Sequence, residues 1–348
     1  MKTNRYVFSY KNFSHKNFTP MDLAFLSFLL PLLFLFTGCG RQAEPITRQG
    51  FYFDTVIQIT IYGTKDESLL EECFSMAQDY ENMFSKTVEN SDIWNINHAD
   101  GSPVKVSEDT LTLLRTSLYY AGLTEGKIDP TIGIVSGLWD FTDTSSAVIP
   151  QKEQLNEALS HVGYHNIHIT GNTVNLSDSH AEIDLGFIAK GYIADRMKEY
   201  LISQGVKNAI INLGGNVLTI GGKPDGTPFQ VGIQKPFAAG GTTAFILPVT
   251  DLSVVSSGIY ERFFLAEDEI YHHILDTKTG YPVRNNLFGV TILSDSSMEG
   301  DALSTTCFIL GMEEGMALIE SLDDTEAVFI TSDGEIHVSS GLTGITHP

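Results

Sequence analysis

Two carboxylate-bearing segments, far apart in the sequence, carry residue types suited to a phosphate and metal site. Residues 184–192 read Asp-Leu-Gly-Phe-Ile-Ala-Lys-Gly-Tyr, and residues 301–305 read Asp-Ala-Leu-Ser-Thr. Asp301 and Thr305 are four residues apart, so on a helix both side chains project from one face and can hold one hard cation. Mg²⁺ prefers oxygen ligands and retains waters, which suits a site that also binds substrate phosphates. The two segments therefore predict chemistry on a nucleotide.

Residues 184–192 are expected to lead from a strand into a helix. Gly186 permits a ligand to approach the backbone, and the first N–H groups of the following helix suit a phosphate. Lys190 would add positive charge there, although a surface lysine is the alternative interpretation. For Asp301 the alternative is a helix cap, which needs no metal.

His273 lies in a turn-rich segment between the two carboxylate segments. A histidine can accept a hydroxyl proton near neutral pH, so His273 is a candidate general base or an orienting group. A hydrogen-bonded structural histidine is the alternative. His272 would point elsewhere if the segment is extended. Asp276 could orient His273 or close the turn of residues 276–280.

Two other segments offer polar groups without a dinucleotide-binding pattern. Asp129 follows a glycine-containing turn, which suits an exposed hydrogen-bond acceptor. Residues 212–216 read Asn-Leu-Gly-Gly-Asn and lack the G-x-G-x-x-G spacing, so they predict a tight bend between strands.

In their order and spacing these segments resemble the ApbE family, the FAD:protein FMN transferases once described as thiamine-biosynthesis lipoproteins. The segments that carry the resemblance are residues 129–133, 184–192, 212–216, 256–258, 273–276 and 301–305. The resemblance implies a compact, T-fold-like α+β domain. It also implies Mg²⁺-dependent transfer of FMN from FAD to a threonine of an acceptor, with release of AMP. The acceptor would be an exported redox protein with a Ser/Thr-Gly-Ala-Thr-like motif.

The resemblance further implies a set of site residues. The backbone carbonyl of Ala189 would join Asp301 and Thr305 around Mg²⁺, and His273 would be the catalytic residue. The implied FAD-binding residues are Phe53, Thr87, Lys127, Ile128, Asp129, Gly186, Tyr192 and Leu275. Two activities are alternatives to FMN transfer. One is a Mg²⁺-dependent FAD pyrophosphatase that gives FMN and AMP, and the other is a flavin-binding lipoprotein without turnover.

The amino terminus has the pattern of a lipoprotein signal peptide. Basic residues precede an apolar run from Leu23 to Phe36, and Thr-Gly-Cys-Gly follows at residues 37–40. We therefore predict a signal peptide over residues 1–38, lipidation of Cys39, a tether over residues 39–50 and a catalytic domain over residues 51–348. Ordinary signal cleavage is the alternative. The expected location is the extracytoplasmic face of the cell membrane, through the lipid anchor.

Composition and periodicity set the class of fold. A formal net charge of −22 argues against nucleic-acid binding. A strand is predicted over residues 51–62, and short strands recur later in the chain. Helices are predicted over residues 69–84, 107–125, 151–162, 189–204, 300–310 and 312–322. Strands and helices interleave without a regular βαβ repeat, which favours an α+β fold. The apolar surroundings of Cys73 and Cys307 predict buried thiols.

Overall fold

The computed structural model describes residues 44–139, 141 and 147–342, and strands and helices alternate irregularly along them. In chain order the strands are β1 (Ile46–Tyr52), β2 (Thr55–Ile61), β3 (Val104–Lys105), β4 (Ile167–Thr170), β5 (Thr173–Leu176), β6 (Ala209–Leu213), β7 (Asn216–Ile220), β8 (Phe229–Gln234), β9 (Thr243–Val249), β10 (Ser253–Gly258), β11 (Phe263–Ala266), β12 (Glu269–His272), β13 (Leu287–Ser294), β14 (Glu326–Thr331) and β15 (Ile336–Val338). The helices are α1 (Ser68–Phe84), α2 (Asp92–Asn97), α3 (Glu108–Leu123), α4 (Gly133–Ser136), α5 (Lys152–Leu159), α6 (Ala189–Ser203), α7 (Ser297–Leu310) and α8 (Met312–Glu320).

The main sheet of the described residues has eight strands in the order β1-β2-β6-β7-β10-β13-β14-β15. Each neighbouring pair is antiparallel. Because successive side chains of a strand point to opposite faces, the buried strands contribute to two cores. On β13, for example, Ile292 belongs to the core that includes residues of α1, α6 and α7, whereas Leu293 belongs to the core covered by the β8–β9 hairpin.

Helices α6 and α7 are held together at a close crossing. A Cβ added to Gly191 of α6 would lie 2.1 Å from the carbonyl oxygen of Ser297, so glycine is required for this approach. Asp195, one turn further along α6, accepts hydrogen bonds from the backbone N–H groups of Ser297 at 2.9 Å and Met298 at 3.0 Å. This carboxylate satisfies the free N–H groups at the start of α7. The crossing fixes the first turn of α6 against α7.

A third, smaller core joins α4 and α5 to the two-stranded β11–β12 ribbon. Trp139 is fully buried there, and its ring stacks against Phe141 and Tyr271. Its indole N–H donates to the carbonyl of Gly280 at 2.8 Å. The indole therefore ties the turn that follows His273 to the body of the protein.

The α+β class with antiparallel sheets is confirmed, and so are the predicted helices, whose bounds differ by a few residues. The bend predicted at residues 212–216 is the β6–β7 turn, where Gly214 and Gly215 have positive φ. The single strand predicted over residues 51–62 is wrong. It is a hairpin whose turn residues, Phe53 and Asp54, both have φ of 54°. A turn at Phe53 could not be predicted from the residue types, because a bulky residue seldom adopts positive φ.

The secondary structure contradicts two other expectations. The tether predicted over residues 39–50 is too long, because β1 already begins at Ile46 and pairs with β2. No strand precedes α6 within residues 181–188, where Glu182 makes an isolated parallel bridge to Ile132. The predicted signal peptide and Cys39 lie outside the described residues. None of the helices in the described part of the chain is long and apolar enough to cross a membrane.

Candidate functional site

The structure brings the two carboxylate segments together where α6 crosses α7. Asp301 is 3 % exposed, and its Oδ2 accepts a hydrogen bond from the backbone N–H of Gly191 at 2.9 Å. Lys190 Nζ lies 3.5 Å from the other carboxylate oxygen and donates to the carbonyl of Gly186 at 3.1 Å. Burial raises the pKa of Asp301 above its ordinary value, while Lys190 and the Gly191 N–H oppose that rise. A positive charge at this position would therefore stabilise the ionised carboxylate.

Thr305, one turn further along α7, belongs to a cluster of hydroxyl groups. Its Oγ1 lies 3.1 Å from Ser257 Oγ of β10, which in turn lies 2.8 Å from Ser304 Oγ. Ser257 lies in residues 256–258, which contribute to the family resemblance, but the sequence did not predict a contact for its side chain. The structure shows that β10 supplies a hydroxyl beside the candidate metal ligands.

The oxygen atoms around this crossing suit a hard cation. The predicted ligands are a carboxylate on α7, a hydroxyl on the same face of α7, and the backbone carbonyl of Ala189, which begins α6. The described residues contain no group of three or more His, Cys, Asp or Glu side chains placed to hold a metal. A cation here would use few protein oxygens, as Mg²⁺ does when substrate phosphates complete its coordination. The residues present fit that ion.

Asp184 has a cationic partner that the sequence did not reveal. Its Oδ2 lies 2.9 Å from Lys86 Nζ and accepts from Ser136 Oγ at 3.0 Å, while Oδ1 accepts from the Gly186 N–H at 2.9 Å. Burial opposes ionisation of this carboxyl, but Lys86 and the hydrogen bonds outweigh it and lower the pKa of Asp184. The ionised carboxylate thus fixes the Gly186 turn that leads into α6. Thr87, beside Lys86, is exposed.

His273 is anchored through one carbonyl group. Its backbone N–H donates to the carbonyl of Arg262 at 3.2 Å, and its Nδ1 lies 3.3 Å from the same oxygen. Since a carbonyl only accepts, Nδ1 carries the proton and Nε2 is free to accept one. Burial, followed by the charges of Arg262, His272 and Lys190, lowers the pKa of His273 to about 3. The imidazole is therefore neutral near pH 7 and lies within electrostatic reach of Lys190.

Glu261 was not singled out by the sequence, although it directly precedes Arg262. The residue is exposed overall, yet the protein around its carboxyl group raises the pKa of Glu261 to about 7. The charge of Asp301 contributes to this rise, and Lys190 and Arg262 oppose it. This carboxyl therefore lies within electrostatic reach of the α6–α7 crossing.

The neighbours of His273 have structural contacts. His272 is 4 % exposed, its Nε2 lies 3.1 Å from the carbonyl oxygen of Val283, and burial lowers its pKa to about 4. Asp276 accepts hydrogen bonds from the backbone N–H groups of Lys278 at 2.7 Å and Thr279 at 3.3 Å. Of the two roles considered for Asp276, the structure shows turn closure.

The expectation that Asp129 is an exposed acceptor is wrong. It is 4 % exposed, and its Oδ1 accepts from the N–H of Thr131 at 2.8 Å and from its hydroxyl at 2.6 Å. Oδ2 accepts from the N–H of Tyr164 at 2.7 Å. Both carboxylate oxygens accept hydrogen bonds within the protein, so neither is exposed for a ligand. Ile128 is likewise 4 % exposed, and Lys127 pairs with Glu314 of α8 at 2.5 Å.

The remaining predicted flavin contacts differ in their accessibility. Gly186 is exposed and Phe53 is partly buried. Leu275 is 6 % exposed, within the core around Trp139, and Tyr192 is 5 % exposed. The Tyr192 ring meets Phe84 edge-on, and its hydroxyl donates to Asp109 of α3. The structure thus places Tyr192 as a packing residue between helices.

Comparisons with known proteins show the family and the fold of this chain. The ApbE family model matches residues 53–329. The FAD:protein FMN transferase of Treponema pallidum (strain Nichols) is 31 % identical over 327 residues, which cover 88 % of this chain and 90 % of that protein. The protein of the same name from Klebsiella pneumoniae (strain 342) is 36 % identical over 278 residues, covering 79 % and 86 %.

Solved structures show the same similarity. The crystal structure of the ApbE protein from Thermotoga maritima has a TM-score of 0.80 and 30 % identity, covering 88 % of this chain and 100 % of that one. The flavin transferase ApbE from Vibrio cholerae has a TM-score of 0.78 and 29 % identity, covering 87 % and 99 %.

Proposed function

Because the chain belongs to the ApbE family, we propose that it is a Mg²⁺-dependent FAD:protein FMN transferase. In this proposal the enzyme moves FMN from FAD to a threonine hydroxyl of an exported acceptor protein and releases AMP. The observation that carries the proposal is the contact of buried Asp301 with the first turn of α6, which would place a metal-binding carboxylate beside Lys190.

The pyrophosphate of FAD would lie at the start of α6. The backbone N–H groups of Ala189, Gly191 and Tyr192 already donate to protein oxygens. The attraction for phosphate would therefore come from the positive end of the α6 dipole and from the charge of Lys190. The turn at Gly186 keeps this region open, because glycine places no side chain there and Asp184 fixes its N–H. These residues would bind and orient the phosphates.

Asp301, Thr305 and the carbonyl of Ala189 would hold Mg²⁺. When bound, the ion supplies charge neutralisation for the pyrophosphate and for the departing AMP. A bound cation would favour the ionised form of Asp301, which burial disfavours and which Lys190 supports from 3.5 Å.

His273 would take the proton of the attacking hydroxyl. The threonine oxygen forms a bond to the FMN phosphorus, the bond from that phosphorus to the AMP oxygen breaks, and the threonine proton passes to Nε2 of His273. Nε2 can accept this proton because the Arg262 carbonyl holds the ring proton on Nδ1. Positioning and charge stabilisation provide most of the acceleration in phosphoryl transfer, so the base must be well oriented.

An assay of AMP release and protein mass tests the proposal. The purified protein is incubated with FAD and Mg²⁺, with and without an exported FMN-binding domain that carries a Ser/Thr-Gly-Ala-Thr motif. AMP release with the gain of one FMN on the acceptor supports the transferase. Release of FMN and AMP without labelling would identify a pyrophosphatase, and FAD binding without turnover would identify a carrier.

We also propose that lipidation of Cys39 anchors the enzyme at the extracytoplasmic face of the cell membrane. The supporting pattern is the apolar run that ends in Thr-Gly-Cys-Gly at residues 37–40. Incorporation of labelled palmitate by the wild type, and its loss in Cys39→Ser, is the expected result. Equal labelling of both proteins would contradict it.

A further inference from the structure

Arg262 contacts two parts of the site that are far apart in sequence. It lies between β10 and β11, and its guanidinium Nη2 donates to the carbonyl oxygens of Phe53 and Asp54, each at 3.3 Å. Its own carbonyl accepts from the backbone N–H of His273 at 3.2 Å and from Nδ1 at 3.3 Å. One residue therefore joins the β1–β2 turn to the candidate base.

The β1–β2 turn needs external support. Phe53 and Asp54 both have φ of 54°, a conformation that residues with a side chain adopt at an energetic cost. On one side of the turn, the N–H of Phe53 donates to Glu81 Oε1 at 2.7 Å. On the other side, Arg262 binds the two carbonyls. Hydrogen bonds to charged groups are stronger than neutral ones, so both contacts resist movement of the turn.

The imidazole of His273 depends on the position of residue 262. The same carbonyl oxygen binds its backbone and its ring, so a shift of that oxygen moves the ring and weakens the preference for the Nδ1-protonated tautomer. The guanidinium anchors Arg262 to the β1–β2 turn, while the pairing of Phe263 with His272 holds the other side, so loss of the guanidinium lets residue 262 shift. The effect would reach His273 through the backbone.

We propose that Arg262 is a positioning residue that sets the β1–β2 turn and the His273 ring as one unit. The inference rests on the proposed function, in which Phe53 contacts the flavin and His273 takes the proton. The Arg262 guanidinium holds the β1–β2 turn, and the Arg262 carbonyl holds His273. A misplacement of about 1 Å can cost roughly 100-fold in rate, so such coupling matters for transfer.

Glu81 provides a matched control, because it holds the same turn but has no hydrogen bond to His273. We would compare Arg262→Met, Arg262→Lys and Glu81→Met in the full-length protein, measuring kcat and KM for FAD by AMP release. Arg262→Met should lower kcat about tenfold or more, and lysine should restore part of it by donating to the turn carbonyls. Glu81→Met should raise KM and leave kcat within about twofold.

The tautomer of His273 gives a readout that is independent of turnover. Long-range ¹H–¹⁵N spectra should show His273 protonated on Nδ1 in the wild type and in Glu81→Met, and a mixture of tautomers in Arg262→Met. An unchanged tautomer with unchanged kcat in Arg262→Met would overturn the inference. The same shift in Glu81→Met would also overturn it, because the turn alone would then be responsible. If Arg262→Met does not fold, Arg262→Lys carries the comparison, with a smaller loss of kcat and a smaller change of tautomer expected.

These experiments distinguish a failure of the proposed transferase activity from a failure of the role of Arg262. A wild type without AMP release would refute the proposed transferase, whereas the tautomer comparison would still decide whether Arg262 positions the ring. An active wild type with identical effects of Arg262→Met and Glu81→Met would leave the transferase standing and refute the role of Arg262.

Discussion

Replacing Gly191 by alanine should separate α6 from α7 and disable the site. The new Cβ would lie 2.1 Å from the carbonyl oxygen of Ser297, 2.6 Å from its carbon and 2.7 Å from the Cα of Met298. These are backbone atoms, so no change of rotamer can relieve the clash. Ordinary contact begins near 3.4 Å, so α7 must move by roughly 1.3 Å. The movement would break the 2.9 Å hydrogen bond from the Gly191 N–H to Asp301.

The size of the effect follows from three contributions. Overpacking costs about 1–3 kcal/mol, and loss of a hydrogen bond to a buried carboxylate costs about 1.5–3 kcal/mol. The better helix propensity of alanine offsets about 1 kcal/mol. The net loss in the free energy of unfolding should therefore be about 2–5 kcal/mol, by the same three principles. AMP release from FAD should fall by about tenfold or more, because Asp301 and Lys190 lose their alignment.

Gly122 of α3 gives the matched control. A Cβ there would have no atom within 4 Å, and the residue is exposed. Gly122→Ala should leave activity unchanged and stabilise the protein by about 0.5 kcal/mol. Urea unfolding followed by circular dichroism measures both variants. Wild-type stability and turnover in Gly191→Ala would refute the role assigned to the crossing.

Three further outcomes are expected. Lys86→Met should lower the free energy of unfolding by about 1–3 kcal/mol at pH 7. Asp184 has a lowered pKa in the folded state, so this difference should shrink as the pH falls below 3.8, the ordinary pKa of an Asp carboxyl. A difference that persists in acid would contradict the pairing. Thr305→Val should weaken the dependence of turnover on Mg²⁺ without lowering the melting temperature by more than a few degrees, and unchanged Mg²⁺ titrations would exclude it as a ligand. His273 and His272, with pKa values lowered to about 3 and about 4, should stay neutral down to pH 5 in ring ¹³C–¹H spectra, whereas a midpoint near 6.5 for His273 would contradict its burial.

The sequence identified the elements whose stability is local. Leu69, Leu70, Cys73, Phe74 and Ala77 recur at helical spacing and are all buried in α1. Ser107, the first residue of the helix predicted over 107–125, begins α3 by accepting a hydrogen bond from the N–H of Thr110. Such signals lie within a few neighbouring residues, so they can be recognised before the fold is known.

Features that depend on distant contacts could not be recognised in the same way. The β1–β2 turn adopts an unfavourable backbone because Arg262 and Glu81 hold it from elsewhere in the chain. Asp129 seemed suited to the surface, but Thr131 and the N–H of Tyr164 satisfy it internally. Charged residues show no periodicity, so their partners emerge only from the tertiary structure.

The candidate site was predictable in part, through the order of its segments. Asp301 and Gly191 are 110 residues apart in sequence, and only the α6–α7 crossing brings them within 2.9 Å. The ion pair of Lys86 with Asp184 spans a similar distance along the chain and was missed, because no local pattern marks Lys86. The family resemblance identified residues 184–192 and 301–305 as site segments. The close packing of Gly191 against the backbone of α7 explains why they meet.

The proposed activity of the Asp301 site is the transfer of FMN to a protein. The most direct test is the intact mass of an acceptor domain after incubation with FAD, Mg²⁺ and either the wild type or Asp301→Asn. Asparagine retains the size of the side chain and an acceptor for the Gly191 N–H, but removes the charge. The account predicts one added FMN with the wild type and none with Asp301→Asn, which should remain folded. Equal labelling of the acceptor by both proteins would contradict it.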